Sequence, residues 1–247
     1  MSEMIEIICR NTNSKILVPF GSTLSEVIKF AGIDSEHQML GAYVNNKVRN
    51  LNYKVYMPKT VEFFDIINPN GRRMYAMSLM FVFYKATKEL YPKSEPIIFH
   101  SMSNGYYAEI KNLGTELNKD IVVQIKEKMQ EIIKNDYPFI TKNMPGIEAM
   151  EIFKKVGLEN KANLMKATHK LYVDVDYLDG TVNHFYYPLV RSTSLLNVFD
   201  LVHFNGGLLL VMPDKKDPNQ LLKSRNKQEK IFSVFQEHKD WVNILGT

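Results

Sequence analysis

The stretch from Gly71 to Leu90, GRRMYAMSLMFVFYKATKEL, constrains the fold of this chain more than any other. Met74, Met77, Leu79, Met80, Phe81, Phe83 and Tyr84 make more than one side of a helix apolar, and such a helix is normally buried. Pro92 ends it. A strand, a tight turn at Ser103-Asn104-Gly105 and a second strand to Ile110 follow.

Residues 4 to 66 read as a small mixed module. Ile5 to Ile8 and Lys15 to Phe20 form a hairpin around the turn cluster Asn11-Thr12-Asn13-Ser14. Thr23 and Glu26 have the spacing of a capping box, in which each side chain satisfies an amide of a starting helix. Leu24, Val27, Ile28 and Ala31 give that helix one apolar face, and Gly32 ends it. Ala42 to Val44 and Val61 to Ile66 are two more strands, giving a β-β-α-β-β order. Asn68-Pro69-Asn70-Gly71 has the composition of a linker.

Beyond the Asn104-Gly105 turn, Ile121, Ile125, Met129 and Ile132 form the buried stripe of a helix over 119–134, and a shorter helix spans about 146–156. Residues 170–177 alternate, Asp179-Gly180 is a favoured hairpin turn, and 181–187 return. On that alternation Asp174 and Asp176 share a solvated outer face. Two more strands precede Pro213, and 214–223 form a polar linker. From Ser224, Ile231, Val234, Phe235, His238, Trp241, Val242 and Leu245 mark an amphipathic helix that needs a surface to bury against.

At 247 residues, with 45% apolar and 23% charged side chains, the chain has the composition of an ordinary soluble globular protein. Its formal charge of +4 and pI near 8.9 do not by themselves argue for nucleic-acid binding. One cysteine, Cys9, allows no internal disulfide or Cys-rich zinc site and suits a reducing cytosol. The first residues lack a signal pattern and no run is long enough to span a bilayer, so a cytoplasmic location is expected, with neither membrane nor DNA as a partner. Phosphate-binding glycine loops and nucleophile elbows are missing.

Pro19-Phe20-Gly21-Ser22-Thr23-Leu24 and Val44-Asn45-Asn46-Lys47-Val48 resemble the TGS domain, a ubiquitin-like β-grasp module found at the front of threonyl-tRNA synthetases. The apolar helix, Leu90-Tyr91-Pro92 and Asn104-Gly105-Tyr106-Tyr107 resemble the editing-type domain that follows it in that family and recurs in alanyl-type editing proteins. The resemblance implies an α+β chain: a TGS-like module over 1–67, an editing-like domain over 71–213, and a linker and amphipathic helix over 214–247. In the family, two histidines on the helix meet a Cys and a His further on to form a metal-binding or hydrolytic pocket. By register these positions fall on Met77, Phe81, Phe185 and Leu189, all apolar here, so the resemblance implies a degenerate pocket with no catalytic residue and no metal.

The combination of the two units with Ser224-Arg225-Asn226-Lys227-Gln228, Trp241 and Leu245-Gly246 also resembles the N-terminal region of bacterial uridine-kinase-like proteins. That likeness implies a regulatory or RNA- or ligand-sensing region with no cofactor of its own, ATP and magnesium belonging to a kinase domain further along. A trans-editing hydrolase of mischarged tRNA is the alternative. His100, Tyr187, Arg191 and Thr193 are candidates for a small ligand patch. Lys15, Lys47, Arg49 and Lys54 are candidate RNA contacts, with Arg72-Arg73 beside them and Tyr43 and Tyr53 as stacking platforms.

Overall fold

The computed structural model describes residues 3–102 and 104–222, arranged as an α+β fold of three sheets and five α-helices. The first sheet holds β1 (Met4–Cys9), β2 (Ser14–Pro19), β3 (Gly41–Val44), β4 (Lys47–Asn50) and β5 (Lys59–Phe64) in the order β2-β1-β5-β3-β4. Helix α1 (Leu24–Ala31) packs beside β2, and both halves of the Thr23–Glu26 capping box are formed. Gly32 closes α1 in the left-handed conformation, which costs glycine no Cβ clash. Ile7, Val18, Leu24, Val27, Ala42 and Val61 form a core belonging to this module, with Cys9 buried inside it.

Two strands are missing from the sequence reading, β4 and, further on, one over Phe139–Pro145. The β4 residues Lys-Val-Arg-Asn have no strong alternation, and the strand forms because Asn45 and Asn46 both take positive φ and turn β3 back on itself.

Helix α2 (Pro69–Leu90) lies at the centre of the larger core. Asn68-Pro69-Asn70-Gly71 is not a linker but the start of this helix. The Asn68 side chain caps the amide of Asn70, and Pro69 occupies the first turn, where its missing N–H has no intrahelical partner to lose. Its fully buried hydroxyls are all hydrogen-bonded. Ser78 donates to the Met74 carbonyl and accepts from the Val190 amide, both at 2.8 Å, and Thr87 donates to Phe83.

Strands β6 (Glu95–Met102) and β7 (Gly105–Lys111) join β11 (Asp200–Phe204) and β12 (Gly207–Val211) in a second sheet ordered β11-β12-β7-β6. Helix α3 (Lys119–Lys134) packs on α2 and β11 through Ile121, Ile125, Met129 and Ile132. The third sheet, β10-β9-β8, contains β8 (Phe139–Pro145), β9 (Tyr172–Leu178) and β10 (Thr181–Asn183). Two short helices, α4 (Gly146–Lys155) and α5 (Glu159–Thr168), pack together, and α4 lies against β8 and β9 over a small core of Met144, Phe153, Met165 and Val175. The return strand stops at Asn183 rather than Tyr187, because residues 184–188 fold back over the end of β9: the Phe185 amide donates to Asp176, and Nδ1 of His184 bonds the Asp174 carbonyl. The amphipathic helix expected from Ser224 lies outside the described residues.

Candidate functional site

Met77 and Phe81 lie one turn apart on α2, and Phe185 and Leu189 lie in the loop after β10. All four belong to one apolar cluster: Phe81 and Leu189 are fully buried, and Met77 and Phe185 pack against it half-buried. The Phe81 ring is 5.3 Å from that of Phe185 and 6.0 Å from that of Phe139. Such a plug offers a metal ion no ligand and a water molecule no base. Among the described residues no group of three or more His, Cys, Asp or Glu side chains is placed to hold a metal ion.

Beside the plug lies a cleft of about 660 Å³. One wall is the end of β4 and the following turn, with Arg49, Asn50, Asn52 and Tyr53. The other is β8, β9 and the loop over 184–188, with Thr141, Tyr172, Asp176, Tyr186 and Tyr187, while Phe139 and Phe185 join cleft to plug. Asn52 donates to the Arg191 carbonyl at 3.3 Å, and Arg191 reaches Ser25 at 3.5 Å, tying the two walls together. Cations sit over the aromatic rings: Arg49 over Tyr53 at 5.2 Å, Lys170 over Tyr186 at 5.6 Å and Arg73 over Tyr187 at 5.1 Å.

The wall formed by β9 and the loop is polar and buried. Asp176 is 3% exposed, not solvated as the alternation of β9 suggests. Its carboxylate accepts from the Thr141 hydroxyl at 2.6 Å and from the Phe185 amide at 2.9 Å. Burial pushes its pKa up, against those hydrogen bonds and the charge of Lys161, which hold it down. Lys161, on α5, donates to the Asn183 side chain and, at 2.6 Å, to the His184 carbonyl. Burial lowers its ammonium to about 8, opposed by the carboxylate of Asp176. His184 is 7% exposed, burial lowers its pKa, and its Nε2 is buried with no hydrogen-bond partner among the described residues. Lys161 therefore positions the loop that carries Phe185 and His184, from behind the wall of the cleft.

Other residues singled out by sequence are dispersed. Tyr187 lines the cleft and is bonded to Asn70, while Arg191 does not line it and accepts from Asn52 through its carbonyl. Thr193 is buried in a structural role, donating to the Ile132 carbonyl and accepting from the Tyr137 amide. His100 is on β6, in the second sheet, beside Tyr107. These four do not form one patch. Among the candidate RNA contacts, Arg49 lines the cleft. Lys47 shares its strand, Lys54 sits at a bridge to Thr23, and Lys15, on β2 at the opposite edge of the five-stranded sheet, pairs with Glu6 of β1. With strands about 4.8 Å apart, those edges are roughly 19 Å from one another. Arg72 is committed to Asn104 and the Pro213 carbonyl, and Tyr43 to Asn68 and Asn70, while Tyr53 lines the cleft.

Sequence reasoning missed Lys161, Asp176 and the role of Asn183. The signal for Lys161 was present: with Leu158, Ala162 and Met165 it completes an i, i+3, i+4, i+7 stripe, and a lysine at an apolar-stripe position is seldom buried without partners.

The geometry defines a chain with a five-stranded module, a helix-centred α+β unit and a cleft between them that adjoins an apolar cluster. Against known proteins, no family model matches. The chain is similar to the threonine–tRNA ligase of Syntrophomonas wolfei, 28% identical over 193 residues, covering 76% of this chain and 30% of that protein. It is 29% identical over 191 residues to that of Desulforamulus reducens, covering 75% and 29%. With that of Sulfurihydrogenibium sp. the identity is 24% over 255 residues, covering 98% and 37%. Most of the chain is thus a threonyl-tRNA synthetase-like region, and it spans about a third of the length of these curated relatives.

Proposed function

We propose that this chain is a tRNA-directed module, related to threonyl-tRNA synthetase, whose cleft receives the single-stranded 3′ end of an aminoacylated tRNA without hydrolysing it. The observation that carries the reading is the pairing of aromatic rings with cations around a cleft of about 660 Å³, beside a plug with no ligand for a metal. Unpaired bases stack on Tyr faces, and Arg49, Arg73 and Lys170 answer the phosphates. The similarity to threonine–tRNA ligases supports tRNA as the nucleic acid. In this reading the first unit is a TGS-type β-grasp module, the second an editing-type domain that has lost its ligands, and the protein works in the cytoplasm. The test is filter binding of tRNA with and without its 3′-terminal nucleotides: binding that ignores their removal rules the reading out.

A second reading, trans-editing hydrolysis of mischarged tRNA, is favoured by Lys161 with its lowered pKa and its neighbour Asp176. It requires deacylation of seryl-tRNA for threonine, and Lys161→Met abolishing that rate. The likeness of residues 224–247 to the segment leading into a nucleoside kinase makes the tRNA-binding module, on a further proposal, the accessory region of a longer phosphotransferase. The mass of the native protein against 28.7 kDa tests this directly.

A further inference from the structure

Among the described residues that line the cleft, His184 alone buries a side-chain nitrogen or oxygen with no hydrogen-bond partner. Its Nδ1 lies 2.7 Å from the Asp174 carbonyl, which can only accept, so Nδ1 carries the ring proton. Burial lowers the pKa of the ring from its ordinary 6.5, so at neutral pH the ring is uncharged and Nε2 is an acceptor. A buried acceptor left unmade is costly, and one on a ring that borders a cleft marks a place where a ligand can complete the bond.

Two aromatic rings lie beside His184, and they differ in freedom. Phe153, with its centroid 6.2 Å away, is fully buried in the small core under α4. Tyr186, 4.8 Å away and edge-on, is 69% exposed, with Lys170 over its ring. Exposed side chains change rotamer within nanoseconds, whereas a core ring moves only with its neighbours. Tyr186 is therefore the part of the cover that opens.

The charges around the ring narrow what can bond there. Lys161 and Lys170 both act on it, and Asp174 opposes them more weakly. A cationic donor would add to that positive charge. A neutral N–H on a molecule that also carries phosphate would not, and Arg49 and Lys170 border the same cleft. Adenine and cytosine have such an N–H, their exocyclic amine, on a flat ring that stacks on tyrosine.

We propose that His184 is a base-reading residue: with Tyr186 swung aside, Nε2 accepts a hydrogen bond from the exocyclic amine of an adenine or cytosine that stacks on the displaced tyrosine ring. Tyr186 is then the lid of this subsite, and the arrangement seen here is its closed position. The inference rests on the reading that a nucleic-acid 3′ end enters the cleft, and adds which atom reads a base and which bases it accepts.

Nitrogen-15 spectra of the histidine side chains in the full chain, assigned with His184→Phe, read Nε2 directly. Adenosine 5′-monophosphate should move the Nε2 signal. The same nucleotide dimethylated on its amine keeps the ring face and loses the donor, so it should leave the signal in place and bind about tenfold more weakly. This comparison needs no altered protein. Tyr186→Ala, a change at an exposed ring, should admit water and shift the Nε2 signal before any nucleotide is added. An Nε2 signal unmoved by adenosine 5′-monophosphate, equal affinity for the two nucleotides, or a Tyr186→Ala signal identical to that of the unaltered chain would each overturn the proposal. On filters, tRNA retention that needs the 3′-terminal nucleotides but ignores a folded His184→Phe overturns this inference alone, whereas retention that ignores their removal overturns the tRNA reading with it.

Discussion

Phe81 and Phe185 face one another with ring centroids 5.3 Å apart, one on the central helix and one on the loop that closes over β9. The contact packs the loop against the central helix. Phe81→Ala should lower the unfolding free energy by about 3–5 kcal/mol, the cost of a cavity in a core. Phe185→Ala, half-buried, should cost less. Urea unfolding monitored by circular dichroism gives both values.

Tyr53 and Arg49 present a ring and a cation to the cleft. Tyr53→Ala should weaken binding of the tRNA 3′ end by about 1–3 kcal/mol, the worth of one stacked base. Arg49→Gln should reduce the slope of log affinity against log salt by about one. Lys15→Gln, on the far edge strand, should change neither, and filter binding across a salt series checks all three.

Stability should depend on pH through Lys161. Burial holds its folded pKa at about 8, below the ordinary 10.5, so between those values the unfolded chain binds a proton that the folded chain does not. The penalty for burying the charge is fully present below about pH 8, and stability rises as the pH increases toward 10. His184, lowered by burial from 6.5, makes stability fall on acidification through its unfolded value. Lys161→Met should flatten the alkaline slope and, by removing a cation that helps lower His184, make the acidic one shallower. Denaturant midpoints measured across this range read both limbs.

Gly71 sits where the module meets α2, and a Cβ there would lie 1.9 Å from the Asp65 carbonyl oxygen. Backbone cannot yield as a side-chain tip does, so Gly71→Ala should cost more than the 1–3 kcal/mol typical of overpacking. Gly114, at positive φ with open space around its Cβ, gives the opposite case, backbone strain without a clash. Thermal unfolding of the two variants separates the effects.

Much of the fold was legible because local rules and tertiary packing agree. The Thr23–Glu26 box starts α1 as its spacing requires, and the apolar run from Met74 to Tyr84 is buried because no face of it is polar. Strand β8 was not legible: most of its residues are exposed, and its pairing with β9, not its own pattern, makes it a strand. Helix α5 was missed because Lys161 interrupts its apolar stripe. Asp176 was read as solvated because alternation assigns a face, not what covers that face, and here residues 184–188 fold across it. Phe185 and Phe81 were singled out by register with a resembling family and pack together in the structure, whereas the cleft beside them depends on where the turn after β4 meets β9.

The most direct test of the account is a single experiment on the full chain: seryl-tRNA for threonine, labelled on the amino acid, followed for both retention on a filter and release of free serine. The account predicts saturable retention that Tyr53→Ala weakens, with release no faster than in buffer. Rapid release abolished by Lys161→Met, or no retention at any salt concentration, would contradict it.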